Sequence, residues 1–226
     1  HGALGVEAHR EMGYLAEAMR NYLERLGWSH GDDEIFSTDQ AVEWFDLDGL
    51  GKSAARFDFA KLENLNGHYL RNKTVAALDG LVIPRLAQRL GRGLSEVEVA
   101  RLEQALPDLK DRAKTLSELT ENALFYFTDG APEPDPKAAK ILDPAARALL
   151  GRLAPVFEHA DEWQAPVLEA RGRAFAEVEE VKFVKIAQPL RAAITGRTVS
   201  PGIFQVCQIL GREETLRRLR DAVPAP

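Results

Sequence analysis

Residues 185–204 read KIAQPLRAAITGRTVSPGIF, and this stretch decides the fold because it has the pattern of two helices joined by a tight polar turn. Pro189 is compatible with the first helix if it lies in the first turn, where a missing N–H costs nothing. Gly196 is predicted to end that helix in the left-handed conformation, which glycine enters without a Cβ penalty. Ser200 and Pro201 are predicted to be the N-cap and first position of the second helix.

The turn between these two helices is predicted to be a recognition surface. It would expose Arg197, Thr198 and Ser200 beside the free N–H groups at the start of the second helix. Such a helix terminus carries partial positive charge and favours a phosphate or a base-edge acceptor. The stretch contains no catalytic carboxylate, nucleophile or set of metal ligands, so we expect binding and no catalytic residue here.

The rest of the chain also shows helical patterns, and no segment alternates with period two as a strand would. Helix caps are predicted at Ser37, Asp58, Ser95 and Asp143. One long helix with a bend near Thr115 is predicted over 109–127, and Pro84 is expected to kink or divide another over 75–90. The sequence therefore predicts an all-α fold, an elongated stack of helical subdomains.

Boundaries between the subdomains are predicted from proline and glycine. The segment DGAPEPDPK at 129–137 is the clearest linker, because three prolines and a glycine disfavour a helix there. We expect three helical units over 1–75, 76–128 and 129–226.

Composition limits the class of protein. The chain has 226 residues, 45% of them hydrophobic, and a net charge of −6, which alone argues against a generic nucleic-acid binder. Basic residues nevertheless crowd the last segment, at Lys182, Lys185, Arg191, Arg197, Arg212, Arg217, Arg218 and Arg220. No apolar run approaches the roughly 18 residues of a membrane helix. The histidines lack companions at metal-ligand spacing, so no metal site is expected.

Cys207 is the single cysteine, so no internal disulfide can form. Its apolar helical surroundings predict a buried hydrophobe rather than a reactive thiol. One unpaired cysteine also suits a reducing, cytoplasmic environment.

Several motifs carry a family resemblance. They are FDFAKLENLNGHYLR at 57–71, RAKTLSEL at 112–119, AQPLRAAITG at 187–196, SPGIF at 200–204 and ILGREETLRRL at 209–219. Together with the opening HGALGVEAHREMGYL, they resemble, in order, the C-terminal, anticodon-reading part of bacterial glutamyl-tRNA synthetases. The similarity runs from His1 to about Arg220.

The resemblance assigns roles to the three expected units. Residues 1–75 would be the stem-contact region after the catalytic signature loop, whose trailing edge would be His1–Gly5. Residues 76–128 and 129–226 would be two anticodon-binding subdomains. The anticodon-binding residues implied are Arg112, Thr115, Arg191, Ser200, Pro201, Gly202, Ile203 and Phe204. The residues implied to contact the tRNA stem are Asn66, His68 and Arg71.

The resemblance also implies partners. The chain would bind the glutamate tRNA, and whether it also binds the glutamine tRNA stays open. ATP, with Mg²⁺, would bind in a catalytic domain that precedes His1, and this chain alone would be inactive and without a cofactor. We expect a monomer that binds neither DNA nor a membrane.

Other interpretations stay open from the residues themselves. Arg112 is predicted on a helix, where it is either aimed at a base or covers apolar surface. By the resemblance, Arg112 corresponds to the family's arginine that recognises the third anticodon base. Phe204 is predicted to be a core side chain rather than one that stacks on a base. Val181–Phe183 depart from the family pattern, so phosphate contacts by Lys182 and Lys185 do not follow from the resemblance. An all-α protein–protein adapter or a ligand-binding regulatory domain would use the same amphipathic helices without RNA.

Overall fold

Thirteen α-helices and one 3₁₀ turn run through the residues that the computed structural model describes, 5–51 and 56–223. The helices are α1 (Val6–Met12), α2 (Ala16–Gly27), α3 (Thr38–Trp44), α4 (Phe59–Asn72), α5 (Val75–Leu90), α6 (Glu96–Lys110), α7 (Leu116–Ala123), α8 (Pro136–Ile141), α9 (Pro144–Glu158), α10 (Ala165–Val178), α11 (Val184–Thr195), α12 (Ile203–Leu210) and α13 (Arg212–Ala222). Within those ranges no strand is formed, and the only bridge pairs Trp28 with Leu50. The all-α prediction is confirmed.

Two expected loops fall partly outside the described residues. The trailing edge of the signature loop was expected at His1–Gly5, of which residues 1–4 are not described. The polar sequence GLGKSAAR at 49–56 also predicts a flexible loop, of which residues 52–55 are likewise not described.

Side-chain caps explain where several helices begin. The Ser37 hydroxyl accepts a hydrogen bond from the Gln40 N–H, and the Gln40 side chain accepts one in return from the Ser37 N–H, which completes a capping box. Asp58 and Asp143 cap α4 and α9 through their carboxylates. These caps were predicted, because each depends only on a polar side chain that satisfies N–H groups two or three residues ahead.

Pro189 departs from prediction, and Pro84 does not divide its helix. Pro189 lies in the middle of α11, which begins at Val184, and it is buried there. Helix α5 continues through Pro84, and α6 continues through Pro107 to Lys110. Packing of an amphipathic face contributes most of the stability of such helices, so it can outweigh the hydrogen bond that a proline removes.

The long helix predicted over 109–127 is wrong. Helix α6 ends at Lys110, a turn covers 111–115, α7 runs over Leu116–Ala123, and a 3₁₀ turn follows at Leu124–Tyr126. The physical reason is a local cap: the Thr115 hydroxyl accepts a hydrogen bond from the Glu118 N–H at 3.1 Å and starts a new helix.

Contacts group the described residues into two compact units. The first unit combines the described part of His1–Leu94 with Leu106–Asn122, and the second combines Ser95–Ala105 with the described part of Ala123–Pro226. The boundaries at 75 and 128 that the sequence suggests differ from this grouping and stay a prediction about subdomains.

Each unit has its own core. In the first unit α2 packs on α4, and Tyr14, Tyr22, Leu62 and Leu65 form a buried cluster. In the second unit α11 packs against α8, α9, α12 and α13, and α10 packs against α9 and α12.

Candidate nucleic-acid interface

The turn at 111–115 in the first unit presents Arg112 to solvent. The Arg112 N–H donates to the Leu109 carbonyl at 3.1 Å, and the next residue, Ala113, is only 1% exposed. The backbone under the guanidinium is therefore fixed while the side chain faces water. Arg112 was predicted on a helix, and its position in a turn corrects that prediction, because α6 has already ended.

Thr115 is half-buried at the start of α7 and acts there as a helix cap. The carboxylate of Glu118 accepts a hydrogen bond from the Lys114 N–H at 2.8 Å, and the Thr115 hydroxyl accepts one from the Glu118 N–H. This is the reciprocal satisfaction of a capping box, displaced by one residue. If Thr115 binds RNA as expected, the same hydroxyl must also cap α7.

Asn66 is fully buried beneath this turn. Its side-chain oxygen accepts a hydrogen bond from the Leu15 N–H at 2.7 Å, and its side-chain NH₂ donates to the Lys114 carbonyl. Both ends of the amide are therefore used inside the protein, so in this structure Asn66 does not face a ligand. This differs from the expected stem contact, and the reason is that α4 packs directly against the turn.

Gly67 lies where α4 meets the turn. A Cβ built on Gly67 would lie 3.6 Å from the Cα of Lys114 and 3.1 Å from the Nη1 atom of Arg71. The side chain of Arg71 is exposed and lies beside the same turn. The 3.6 Å distance to Lys114 is an ordinary van der Waals contact, so α4 and the turn touch at this position.

His68 lies elsewhere on α4. It lines a cleft of about 360 Å³ with Tyr22, Arg25 and Lys61, and Arg71 is not part of that lining. The Nε2 atom of His68 is 3.0 Å from the side-chain nitrogen of Asn72. The three residues expected to contact the stem are therefore divided between a buried position, a cleft and an exposed surface.

The turn at 196–202 belongs to the second unit. Gly196 has φ +68° and ends α11, as predicted. A Cβ at this position would lie 2.8 Å from the Glu133 carbonyl oxygen, and the Gly196 carbonyl accepts a hydrogen bond from the Asp135 N–H at 2.8 Å. Only glycine fits both the backbone angle and this close approach.

Arg191 holds the far side of that turn. Its Nη1 group donates to the Ser200 carbonyl at 3.1 Å, to the Pro201 carbonyl at 2.7 Å and to the Ser200 hydroxyl. The side chain is half-buried. These bonds direct the guanidinium into the protein, so its geometry fits a support for the turn better than a direct base contact.

Ser200 and Pro201 do not open a helix, which corrects the prediction. Helix α12 begins two residues later, at Ile203, with Gly202 as an N-cap that lacks a side-chain bond. The Ser200 hydroxyl is occupied, because it donates to the Pro201 carbonyl at 2.8 Å and accepts from Arg191. Ser200 is only 8% exposed, so it was wrongly expected at the surface of the turn. Gly202 is exposed and Pro201 is buried.

Ile203 and Phe204 point into the core of the second unit. The Phe204 ring stacks on Phe183 with centroids 5.9 Å apart and planes 16° apart, and it meets Phe157 edge-on at 6.4 Å. The preference for a core role of Phe204 agrees with this packing. The same stacking gives Phe183, part of the departure from the family pattern, a structural role.

Arg218 was counted only among the basic residues of the last segment, and its buried structural role was not predicted. It is 0% exposed and donates to Glu214 at 2.6 Å, to the Ile194 carbonyl at 2.7 Å and to the Thr128 carbonyl at 2.9 Å. It therefore joins α13 to the end of α11, just before the Gly196 turn. A signal was available, since Arg218 lies on the same helical face as Thr215 and Ala222.

Cys207 is completely buried in α12, as predicted. Burial raises the pKa of its thiol to about 12, although a hydrogen bond with Thr215 and the nearby Arg218 act in the opposite direction. The thiol is therefore neutral and unreactive at ordinary pH.

Neither a metal centre nor a membrane helix is found among the described residues. No three side chains of His, Cys, Asp or Glu there are grouped to hold a metal ion. No helix in the same ranges has both the length and the apolar character to cross a bilayer.

Comparison with known proteins adds a family match. Residues 80–223 match the family described as "Anticodon binding domain". The chain is 56% identical over 222 residues to glutamate–tRNA ligase 2 of Rhodospirillum centenum, covering 98% of this chain and 47% of that protein. It is 54% identical over 226 residues to the glutamate–tRNA ligase of Afipia carboxidovorans, covering 98% of this chain and 48% of that protein.

A solved structure agrees. A crystal structure of a glutamate tRNA ligase from Elizabethkingia meningosepticum superposes with a TM-score of 0.82 at 27% identity, covering 95% of this chain and 42% of that one. The chain thus spans about half the length of the curated relatives it matches.

Proposed function

The chain belongs to the anticodon-binding domain family and is homologous to glutamate–tRNA ligases, and from this we propose that it binds the anticodon and inner stem of the glutamate tRNA. In this proposal it is the C-terminal part of a ligase whose catalytic domain attaches glutamate to the tRNA with ATP. Neither ATP nor Mg²⁺ would bind to this part, which would act in the cytoplasm as a monomer and would not bind DNA.

The observation that carries the proposal is the Arg112 turn, inside the matched region. An exposed guanidinium on a fixed backbone can donate two hydrogen bonds to neighbouring acceptors on an unpaired base. Arg71 and Lys114 lie against the same glycine, Gly67, and add positive charge for RNA phosphates. We propose that Arg112 reads one anticodon base and that Arg71 contacts the phosphate backbone of the tRNA.

The second turn has a different proposed role. Arg191 fixes the carbonyls of Ser200 and Pro201, while Val199 is 70% exposed and Gly202 is also exposed. We propose that the anticodon loop packs against this exposed edge and that Arg191 and Ser200 keep its shape. Ile203 and Phe204 support it from the core.

The protein–protein adapter and the ligand-binding regulatory domain are not favoured. A basic turn within a region that matches anticodon-binding domains argues for RNA over either of them.

Nuclease footprinting tests the proposal directly. The 226-residue chain should protect the anticodon loop of a glutamate-tRNA transcript, and a transcript with a replaced anticodon loop serves as the control. Binding should weaken by about tenfold or more over a few-fold rise in salt, because phosphate contacts release counterions. Equal protection of both transcripts, or none, would refute anticodon recognition.

A further inference from the structure

The start of α7 is tied to the corner between α1 and α2, within the first unit. The Leu116 N–H donates to the Gly13 carbonyl at 2.9 Å, and the Ser117 hydroxyl donates to the Glu11 carbonyl at 3.1 Å. Gly13 has φ +90°, and a Cβ there would lie 2.5 Å from the Ser117 nitrogen. The corner therefore approaches α7 as closely as a glycine allows.

Asn66 makes a second link between the same two segments. Its oxygen accepts from the Leu15 N–H at the α1–α2 corner, and its NH₂ donates to the Lys114 carbonyl. Because both partners are backbone groups, the amide fixes the path of the chain rather than a movable side chain. Buried amides with both ends satisfied are costly to disturb.

We infer that Asn66 and Ser117 are positioning residues for base discrimination by Arg112, an inference that rests on the proposed function. Arg112 lies two residues before the Lys114 carbonyl that Asn66 holds. Discrimination between bases requires donors placed within about 0.5 Å of the productive geometry. The two side chains supply that precision without touching RNA, which explains why an asparagine in the stem-contact motif is buried.

The chain offers a matched control in Asn21. This asparagine is also in the first unit and 2% exposed, and its side chain bonds to Tyr69 and to the backbone of Glu34 and Phe36. It is a buried bridging amide like Asn66, but its hydrogen-bond partners do not belong to the 111–117 segment. Asn21→Ala and Asn66→Ala should therefore lower the melting temperature by similar amounts.

The measurement is the ratio of affinities for a glutamate-tRNA transcript and the same transcript with its third anticodon base changed. Arg112→Ala should reduce this ratio about tenfold, in line with one bidentate base contact. Asn66→Ala should cause most of the same loss, and the double variant should lose nothing further. Asn21→Ala should leave the ratio as in the wild type.

The outcomes separate the two ideas. If Arg112→Ala leaves the ratio unchanged, the proposed reading by Arg112 fails. If Arg112→Ala reduces the ratio but Asn66→Ala does not, only the positioning role is overturned. Should Asn66→Ala not fold, Ser117→Ala carries the test, since it removes only a hydroxyl that donates to the Glu11 carbonyl and accepts from the Arg85 guanidinium. An unchanged ratio in a folded Ser117→Ala protein would then overturn the inference.

Discussion

An arginine lies at each of the two turns, 111–115 in the first unit and 196–202 in the second, but the two side chains have opposite roles. Other residues fix the backbone of Arg112, and its guanidinium faces water. The guanidinium of Arg191 donates to the carbonyls of Ser200 and Pro201 and so stabilises the 196–202 turn. One arginine is available to a ligand, whereas the other builds the surface a ligand would meet. Residue type and motif membership do not distinguish these roles, but hydrogen-bond partners do.

The largest effect is expected at Arg218, which supports the second turn from within. Arg218→Ala should lower the free energy of unfolding by about 3–5 kcal/mol, because it leaves the Glu214 carboxylate and two carbonyls without their buried partner. Guanidinium denaturation measures the change.

Arg217 is the matched control for Arg218. It also bonds to Glu214, at 2.5 Å, but it is 47% exposed. Arg217→Ala should cost less than about 1 kcal/mol, as surface ion pairs do. Equal costs for the two variants would contradict the support role of Arg218.

Effects of intermediate size are expected at Arg191 and Arg112, and they should distinguish the roles of the two turns. Arg191→Ala should lower the free energy of unfolding by about 1–3 kcal/mol, because buried carbonyls lose their donor. Arg112→Ala should change it by less than about 0.5 kcal/mol, since the side chain is exposed. In tRNA binding Arg112→Ala should cost about 1–3 kcal/mol, concentrated at one anticodon base.

Denaturation and filter binding on the same two proteins make this comparison. A stable Arg191→Ala variant, or an Arg112→Ala variant that loses affinity equally for every anticodon, would remove the contrast between the turns.

The smallest effect is a pH dependence at Glu214. Burial acts to raise the pKa of Glu214, but hydrogen bonds from Arg218 and Arg217 outweigh it, and the pKa lies below its ordinary value of 4.5. A carboxyl with a lowered folded pKa stabilises the protein above about pH 4.5 and loses that stabilisation as the pH falls through the folded pKa. Unfolding free energies measured between pH 6 and pH 3 should therefore fall less steeply for Glu214→Gln than for the wild type. An identical slope for both proteins would show that Glu214 is not the responsible group.

Much of the fold could be predicted because its signals are local. The caps at Ser37, Asp58 and Asp143 depend on one side chain and the N–H groups that follow it. The end of α11 at Gly196 depends on a left-handed backbone that glycine favours. Such helix starts and ends are determined by three or four neighbouring residues.

The failures share a different cause, which is long-range packing. Pro189 is tolerated inside α11 because the helix is buried among other helices. Ser200 does not cap α12 because Arg191, nine residues earlier, occupies its hydroxyl. Asn66 was expected at the surface, and its burial depends on a carbonyl 48 residues away. None of these partners can be identified from the neighbouring sequence.

The buried thiol of Cys207 has a practical consequence for studying this protein in motion. It is the single cysteine in the sequence, and as a neutral, enclosed thiol it should not react with maleimide dyes under native conditions. A cysteine introduced at an exposed site such as position 111 or 199 would then be the one labelled group. Fluorescence from that dye would follow each turn separately as RNA arrives, without first removing the native cysteine.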